Sequence, residues 1–197
     1  MTPRTVRLDS QEWIECDEAI KIDDAGALSD CFARYPEAPR IETGLGNWLH
    51  RVALYGGERC GRLLLDIGLP IDAVSRIGKY TPLCDACAKG NLPVVRLLIE
   101  SGASVAAGED SVGNPLISAI VGPRVSTVPG PGDDVQTEIA RLLLDAGLDP
   151  NVEYLRSNGQ METALHWAYD WGQVGIEALL RERMRRPFTD PASSPKD

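Results

Sequence analysis

Apolar residues along this chain recur at helical spacing in short paired runs, and a glycine closes most of them. Near the N-terminus Trp13, Cys16 and Ile20 make one stripe, and Leu28, Cys31, Phe32 and Tyr35 make a second, which the Pro36 to Pro39 segment stops. Ser10 followed by Gln11 and Glu12 predicts where the first of these helices starts, and Gly26 reads as the turn glycine between the two. From Asn47 the pattern sharpens into N-W-L-H-R-V-A-L-Y-G-G-E-R-C-G-R-L-L-L-D-I-G, and from Thr81 it returns as T-P-L-C-D-A-C-A-K-G-N-L-P-V-V-R-L-L-I-E-S-G. Leu49 and Leu83 stand 34 positions apart, as do Gly68 and Gly102. A fixed period of that length predicts stacked helix pairs, each burying its apolar side against its neighbours.

Two further blocks follow. The fourth opens with G-N-P-L-I-S-A-I at Gly113, then inserts V-G-P-R-V-S-T-V-P-G-P-G-D-D before resuming with T-E-I-A-R-L-L-L-D-A-G. Opening leucine to second-helix leucine takes 14 residues in the second block (Leu49 to Leu63) and 26 in the fourth (Leu116 to Leu142). So Pro/Gly-rich an excursion, about 122–134, is expected to leave the stack as a loop. The fifth block is M-E-T-A-L-H-W-A-Y-D-W-G-Q-V-G-I-E-A-L-L-R-E-R-M, and the Pro/Ser-rich 185–197 segment reads as a tail.

T-P-L-C-D-A-C-A-K-G-N-L-P-V-V-R-L-L-I-E-S-G-A-S-V and E-T-A-L-H-W-A resemble the ankyrin repeat. The resemblance covers 44–184, with 1–43 as a degenerate, capping repeat. It implies an all-α ankyrin-repeat solenoid of about five antiparallel helix pairs with short β-hairpin-like fingers between them. Departures are Cys84 and Ile117 where the signature histidine would stand, and Ala164 in place of the proline. His50 and His166 hold the histidine slot itself, where the resemblance implies hydrogen bonds to backbone between repeats.

The composition is that of a folded chain, with 43% hydrophobic and 25% charged residues. Acids outnumber bases 29 to 20, for a formal charge of -9. The segment from Arg181 onward is basic, so the rest carries about -11. Such a field argues against nucleic acid and membrane partners and for a basic protein partner. No apolar run is long enough to span a membrane, and the N-terminus has no signal core. Five cysteines without framework spacing fit free thiols and a cytoplasmic location.

Catalytic or metal chemistry finds little support in this pattern. Helices in a stack lie roughly 8–10 Å apart, so histidines three layers apart are roughly 25–30 Å from each other, too far for one site. The Cys84–Cys87 pair forms a CxxC at helical spacing, yet no second CxxC follows it, and both positions read as buried thiols. Asp133 and Asp134 read as first-turn helix charges, and G-P-G-D-D lacks the G-K-[ST] ending of a phosphate cradle. No cofactor and no metal is expected.

Recognition residues are instead expected at two places in each repeat. The two positions before each turn glycine are Leu54 and Tyr55, Ala88 and Lys89, Ile120 and Val121, then Asp170 and Trp171. The fingers add Arg76, Lys79 and Tyr80, then Glu109, Asp110 and Ser111, then Glu153, Tyr154 and Arg156. Tyr55, Tyr80, Lys89, Glu109, Asp110, Tyr154, Asp170 and Trp171 are the chosen partner-binding set, because aromatics anchor protein interfaces and acids steer a basic partner. Trp171 reads equally well as a cover for the end of the stack. Trp167 and Tyr169 are expected to pack internally, and Trp48 to close the loop before the second repeat. The predicted function is a non-catalytic protein-binding module. Its sharpest form is a bacterial immunity protein that neutralises a cognate basic toxin, a likeness of composition only; the alternatives are a general adaptor or scaffold and, less favoured, a metal or redox protein built on the cysteines.

Overall fold

A computed structural model describes residues 4–5, 10–106, 113–125, 133–155 and 159–184 of the chain. Ten α-helices in five antiparallel pairs account for most of these residues. They are α1 (Gln11–Lys21) with α2 (Ala25–Arg34), α3 (Trp48–Tyr55) with α4 (Glu58–Asp66), and α5 (Pro82–Lys89) with α6 (Leu92–Glu100). The last two pairs are α7 (Pro115–Val125) with α8 (Asp133–Asp145), and α9 (Ala164–Asp170) with α10 (Val174–Arg183). The odd-numbered helices pack in one row, each on the next, and the even-numbered helices in a second row behind them. One continuous core runs between the rows, from Cys16, Ile20 and Leu28 through Leu64, Leu83 and Leu98 to Leu143, Leu165 and Leu180. No helix among the described residues is long and apolar enough to cross a membrane.

The second to fifth repeats each start their first helix after a polar residue at the same position. Asn47, Thr81, Asn114 and Thr163 stand just before α3, α5, α7 and α9; Asn47, Thr81 and Asn114 accept hydrogen bonds from backbone N–H groups of the first turn. That satisfies donors which a helix start leaves without intrahelical partners. Three positions on lies the histidine slot. His50 Nδ1 accepts from the Asn47 N–H at 3.2 Å, which leaves Nε2–H to donate to the Tyr80 carbonyl, 3.2 Å away in the next repeat. Burial holds His50 below the usual histidine range, in the neutral form this bonding needs.

The two helices of a pair are joined by a left-handed turn. Gly56, Gly90 and Gly172 adopt it with positive φ in the second, third and fifth repeats. In the first repeat Asp23 does so, at φ 54°, and not Gly26, which lies inside α2. Aspartate tolerates this conformation better than most residues, and here its carboxylate also accepts from the Cys60 N–H at 2.8 Å and the Arg59 N–H at 3.2 Å, capping α4 of the following repeat. The residue after the turn ties layers together as well. Asn91 donates its side-chain amide to the Ala53 carbonyl, and Gln173 donates to the equivalent Ile120 carbonyl at 3.0 Å.

The fourth repeat departs from expectation. α7 continues through Gly122 and on to Val125, and α8 begins at Asp133, so the excursion narrows to 126–132, which lies outside the described residues together with 185–197. Gly122 is therefore a helical residue rather than the start of a loop. A Cβ there would lie 2.4 Å from the carbonyl oxygen of Ala88, so its lack of a side chain is what lets α7 close on α5. Of the expected fingers, the last carries β3 (Glu153–Leu155) paired antiparallel with β4 (Met161–Thr163). Thr43 to Gly46 and Ser75 to Tyr80 form tighter turns. At the N-terminus β1 (Arg4–Thr5) pairs in parallel with β2 (Ile41–Glu42). Trp48 donates from its indole N–H to the Ala38 carbonyl at 2.8 Å and packs beside Trp13, fastening the loop before the second repeat.

Candidate functional site

The face made by the odd-numbered helices and the fingers carries side chains in rows, because the repeat returns each position to the same place one layer on. One row is Asp17, Arg51 and Asp85, spaced 34 apart, continued by Ser118 and Trp167 at the equivalent positions of α7 and α9. The neighbouring row, one helical turn on, is Lys21, Tyr55 and Lys89, continued by Gly122 and Trp171. Charges therefore alternate along the first three layers of the first row.

The first two members of that row are matched. Asp17 is 1% exposed, and Arg51 meets it with Nη2 at 2.6 Å and Nε at 2.7 Å. Lys21 takes the other carboxylate oxygen at 3.1 Å. The Arg51 guanidinium also lies over the rings of Trp13 and Tyr55, 5.2 and 4.7 Å from their centroids, and donates to the Tyr55 hydroxyl. Tyr55 is accordingly exposed but held, between Arg51 and Lys21.

Between α5 and α7 the face opens into a cleft of ≈ 210 Å³ lined by Tyr80, Cys84, Asp85, Ala88, Lys89, Ser118, Val121 and Gly122. The cleft exists because Ser118 and Gly122 occupy positions held by Arg51 and Tyr55 in the second repeat and by Trp167 and Trp171 in the fifth. Burial pushes the Asp85 carboxyl up to about 7, and the nearby Lys89 ammonium offsets this only in part.

The chosen partner-binding residues divide. Tyr55, Tyr80 and Lys89 lie on this face, the last two lining the cleft, while Asp170 is exposed and Trp171 half-buried at the far end against the core. Glu109 and Asp110 lie outside the described residues, as do Ser111 and Arg156. Tyr154 is not on the surface. It is 3% exposed, and its hydroxyl accepts from Asn114 Nδ2 at 2.9 Å, so the side chain fastens the finger to the start of α7. The hairpin alternates exposed and buried positions, and Tyr154 falls on the buried side between Glu153 and Leu155. Ile120 is fully buried, because without a turn glycine at 122 the register of α7 shifts by one and the surface pair becomes Val121 and Gly122. Tyr169, expected inside, is 41% exposed.

Sequence reading also passed over an apolar group at the finger tips, where Val74, Ile77, Leu155 and Met161 are exposed, Ile77 by 65%. The signal was present: these are large apolar residues in turn segments with no helical stripe to join. All five thiols are buried and none forms a disulfide. Cys84 donates from Sγ to the Gly113 carbonyl at 3.0 Å, and burial raises its pKa and that of Cys87. No group of three or more His, Cys, Asp or Glu side chains among the described residues is arranged to hold a metal ion.

The family model for the ankyrin repeat matches residues 78–109, which include the third helix pair. Among solved structures, the crystal structure of the human ASB11 ankyrin repeat domain is similar to the chain with a TM-score of 0.67 at 23% identity, over 85% of this chain and 67% of that one. No curated protein matches the chain in sequence. Residues 78–109 thus match the ankyrin repeat itself, and the layering from α1 to α10 has the fold of an ankyrin-repeat domain.

Proposed function

We propose that this chain is a non-catalytic protein-binding module that seats a basic protein on the face of its odd-numbered helices. In the form that commits furthest, the bound protein is a cationic toxin and the chain is the bacterial immunity protein that neutralises it. The observation that carries the reading is the α5–α7 cleft, a recess lined by Tyr80, Val121 and the Asp85 carboxyl on a face that also presents Tyr55. Aromatic anchors beside a recess are what concentrate binding energy at protein interfaces. The formal charge of -9 supplies long-range attraction for a basic partner.

The test is capture of partners from the native source at graded salt, followed by assay of the captured protein's own activity. A basic partner held one to one, inhibited on binding and released by Tyr55→Ala with Trp171→Ala, supports the proposal. A partner bound with its activity intact overturns inhibition and leaves the adaptor reading. That second reading draws on the finger tips, where Val74, Ile77, Leu155 and Met161 are exposed apolar side chains outside the cleft lining.

A further inference from the structure

We infer that the α5–α7 cleft is a socket for one arginine side chain of the partner, with the Asp85 carboxylate as its counter-ion. The inference rests on the protein-binding reading of this face and names the chemistry recognised there.

Three observations converge on it. The first is size. At ≈ 210 Å³ the cleft is below the range of roughly 300–1,000 Å³ that takes a drug-sized ligand, while a single long side chain fits that scale. The second is charge. In the row Asp17, Arg51, Asp85, the arginine turns to Asp17, so the third member has no cation from the preceding layer. No hydrogen bond or ion pair reaches the Asp85 carboxylate among the described residues, and Lys89 acts on it only through its field. The i, i+4 pairs Lys21–Asp17 and Arg62–Glu58 show that this chain closes such pairs on a helix where nothing keeps them apart.

The third is shape and lining. Ala88, Ser118 and Gly122 are small, which keeps the floor open, and the Tyr80 ring and Val121 give apolar walls for a methylene stem. The Ser118 hydroxyl and the Asp85 carboxylate are the acceptors in the lining. A guanidinium suits this better than an ammonium. It is more weakly hydrated, so it costs less to bring into a half-buried cleft, and its planar fork can engage both carboxylate oxygens. It also spreads its charge, which lessens repulsion by Lys89 at the rim.

The probe is N-acetyl-arginine amide, titrated into the full chain and followed by NMR, against N-acetyl-citrulline amide, its neutral isostere, and N-acetyl-lysine amide. The expected result is saturable shifts at Tyr80, Ser118, Val121 and Gly122 with the arginine compound. Citrulline should bind about 10- to 100-fold more weakly, the range that a hydrogen bond to a charged group supplies, and lysine should fall between. Asp85→Asn, with an otherwise unchanged spectrum, should lose the arginine response. Shifts spread over the acidic surface and unaltered by Asp85→Asn, or equal binding of citrulline, overturn the socket. The two readings fail separately. A partner captured equally by Asp85→Asn removes the socket and leaves the binding face. Saturable arginine binding at Asp85 in a chain that captures no protein keeps the socket and removes the proposed function.

Discussion

The thiol of Cys84 lies 3.0 Å from the carbonyl oxygen of Gly113, at the repeat position from which the His50 imidazole reaches the Tyr80 carbonyl. Both carbonyls belong to the residue just before the next repeat's capping side chain. One acceptor is thus met by an imidazole and the other by a thiol, and because Sγ is far closer to its own backbone than Nε2 is, α5 and the start of the fourth repeat are drawn together.

Cys84→Ala removes that donor and leaves a buried carbonyl without it. The expected loss is about 1–3 kcal/mol, the usual cost of an unsatisfied buried polar group, and Cys84→Ser, which keeps a donor on Cβ, should recover much of it. Denaturant unfolding of the three chains checks this. Equal stability for Ala and wild type would mean that the thiol contributes only its volume.

Local signals made most of this fold legible in the sequence. The leucines, the turn glycines Gly56 and Gly90 and the histidine slot all recur at near-fixed spacing, because each answers a demand of one repeat. What escaped depends on how layers meet. Asp23 takes the turn because its carboxylate reaches α4 in the next repeat, and a reading that looks for glycine settles on Gly26 instead. Tyr154 is buried because Asn114 stands behind it, 40 positions away. The row Asp17, Arg51, Asp85 is legible as spacing, yet which acid the arginine meets is settled only by how the layers pack.

Asp85 makes stability depend on pH in a direction opposite to most carboxylates. Burial pushes its carboxyl up to about 7, against about 3.9 for an ordinary aspartate, so between those values the native state holds a proton that the unfolded chain releases. Acidification from pH 7 toward 4 therefore adds stability through this group, and above pH 7 the buried charge is a constant cost. Asp85→Asn should raise stability by a few kcal/mol, of the order that such a shift carries, at pH 8, with the gain shrinking as pH falls below 7. His50 works the other way, losing stability as pH falls below about 6.5, but it is common to both chains and cancels in the difference. Thermal melts of the pair from pH 4.5 to 8 read this directly. A gap that does not change with pH would contradict it.

The same raised pKa predicts proton release on binding. A guanidinium beside Asp85 favours the ionised form, so affinity for the arginine probe should rise as pH increases through about 7 and level off above it. The other groups facing this place are Lys89, Cys84 and Tyr80, of which burial raises the thiol and the phenol further above that window, and Arg51, which is engaged with Asp17. Titration calorimetry in two buffers of different ionisation heat measures the released proton, and its absence at pH 7 would contradict the assignment.

Gly122→Ala should act on both stability and the cleft. The new methyl meets the Ala88 carbonyl at 2.4 Å, which is backbone and cannot swing aside, so α5 and α7 must separate. The expected cost is about 1–3 kcal/mol, as for overpacking in a close-packed interior. The arginine response should weaken with it, while Gly68→Ala, where the added Cβ meets nothing within 4 Å but the positive φ still strains the backbone, should lose stability alone.

The Asp17–Arg51 pair offers a separate measure of how firmly the first repeat is joined to the second. Arg51→Met leaves a carboxylate that is 1% exposed with Lys21 as its remaining cation, and should cost about 2–4 kcal/mol, near the low end for stripping one partner from a buried pair. Adding Asp17→Asn removes the stranded charge, so the double variant should be more stable than Arg51→Met alone. Because Arg51 also braces Tyr55, both variants should free that ring, seen as a rise in its accessibility to surface labelling. A cycle in which the two losses simply add would place the coupling between repeats in the core and not in this ion pair.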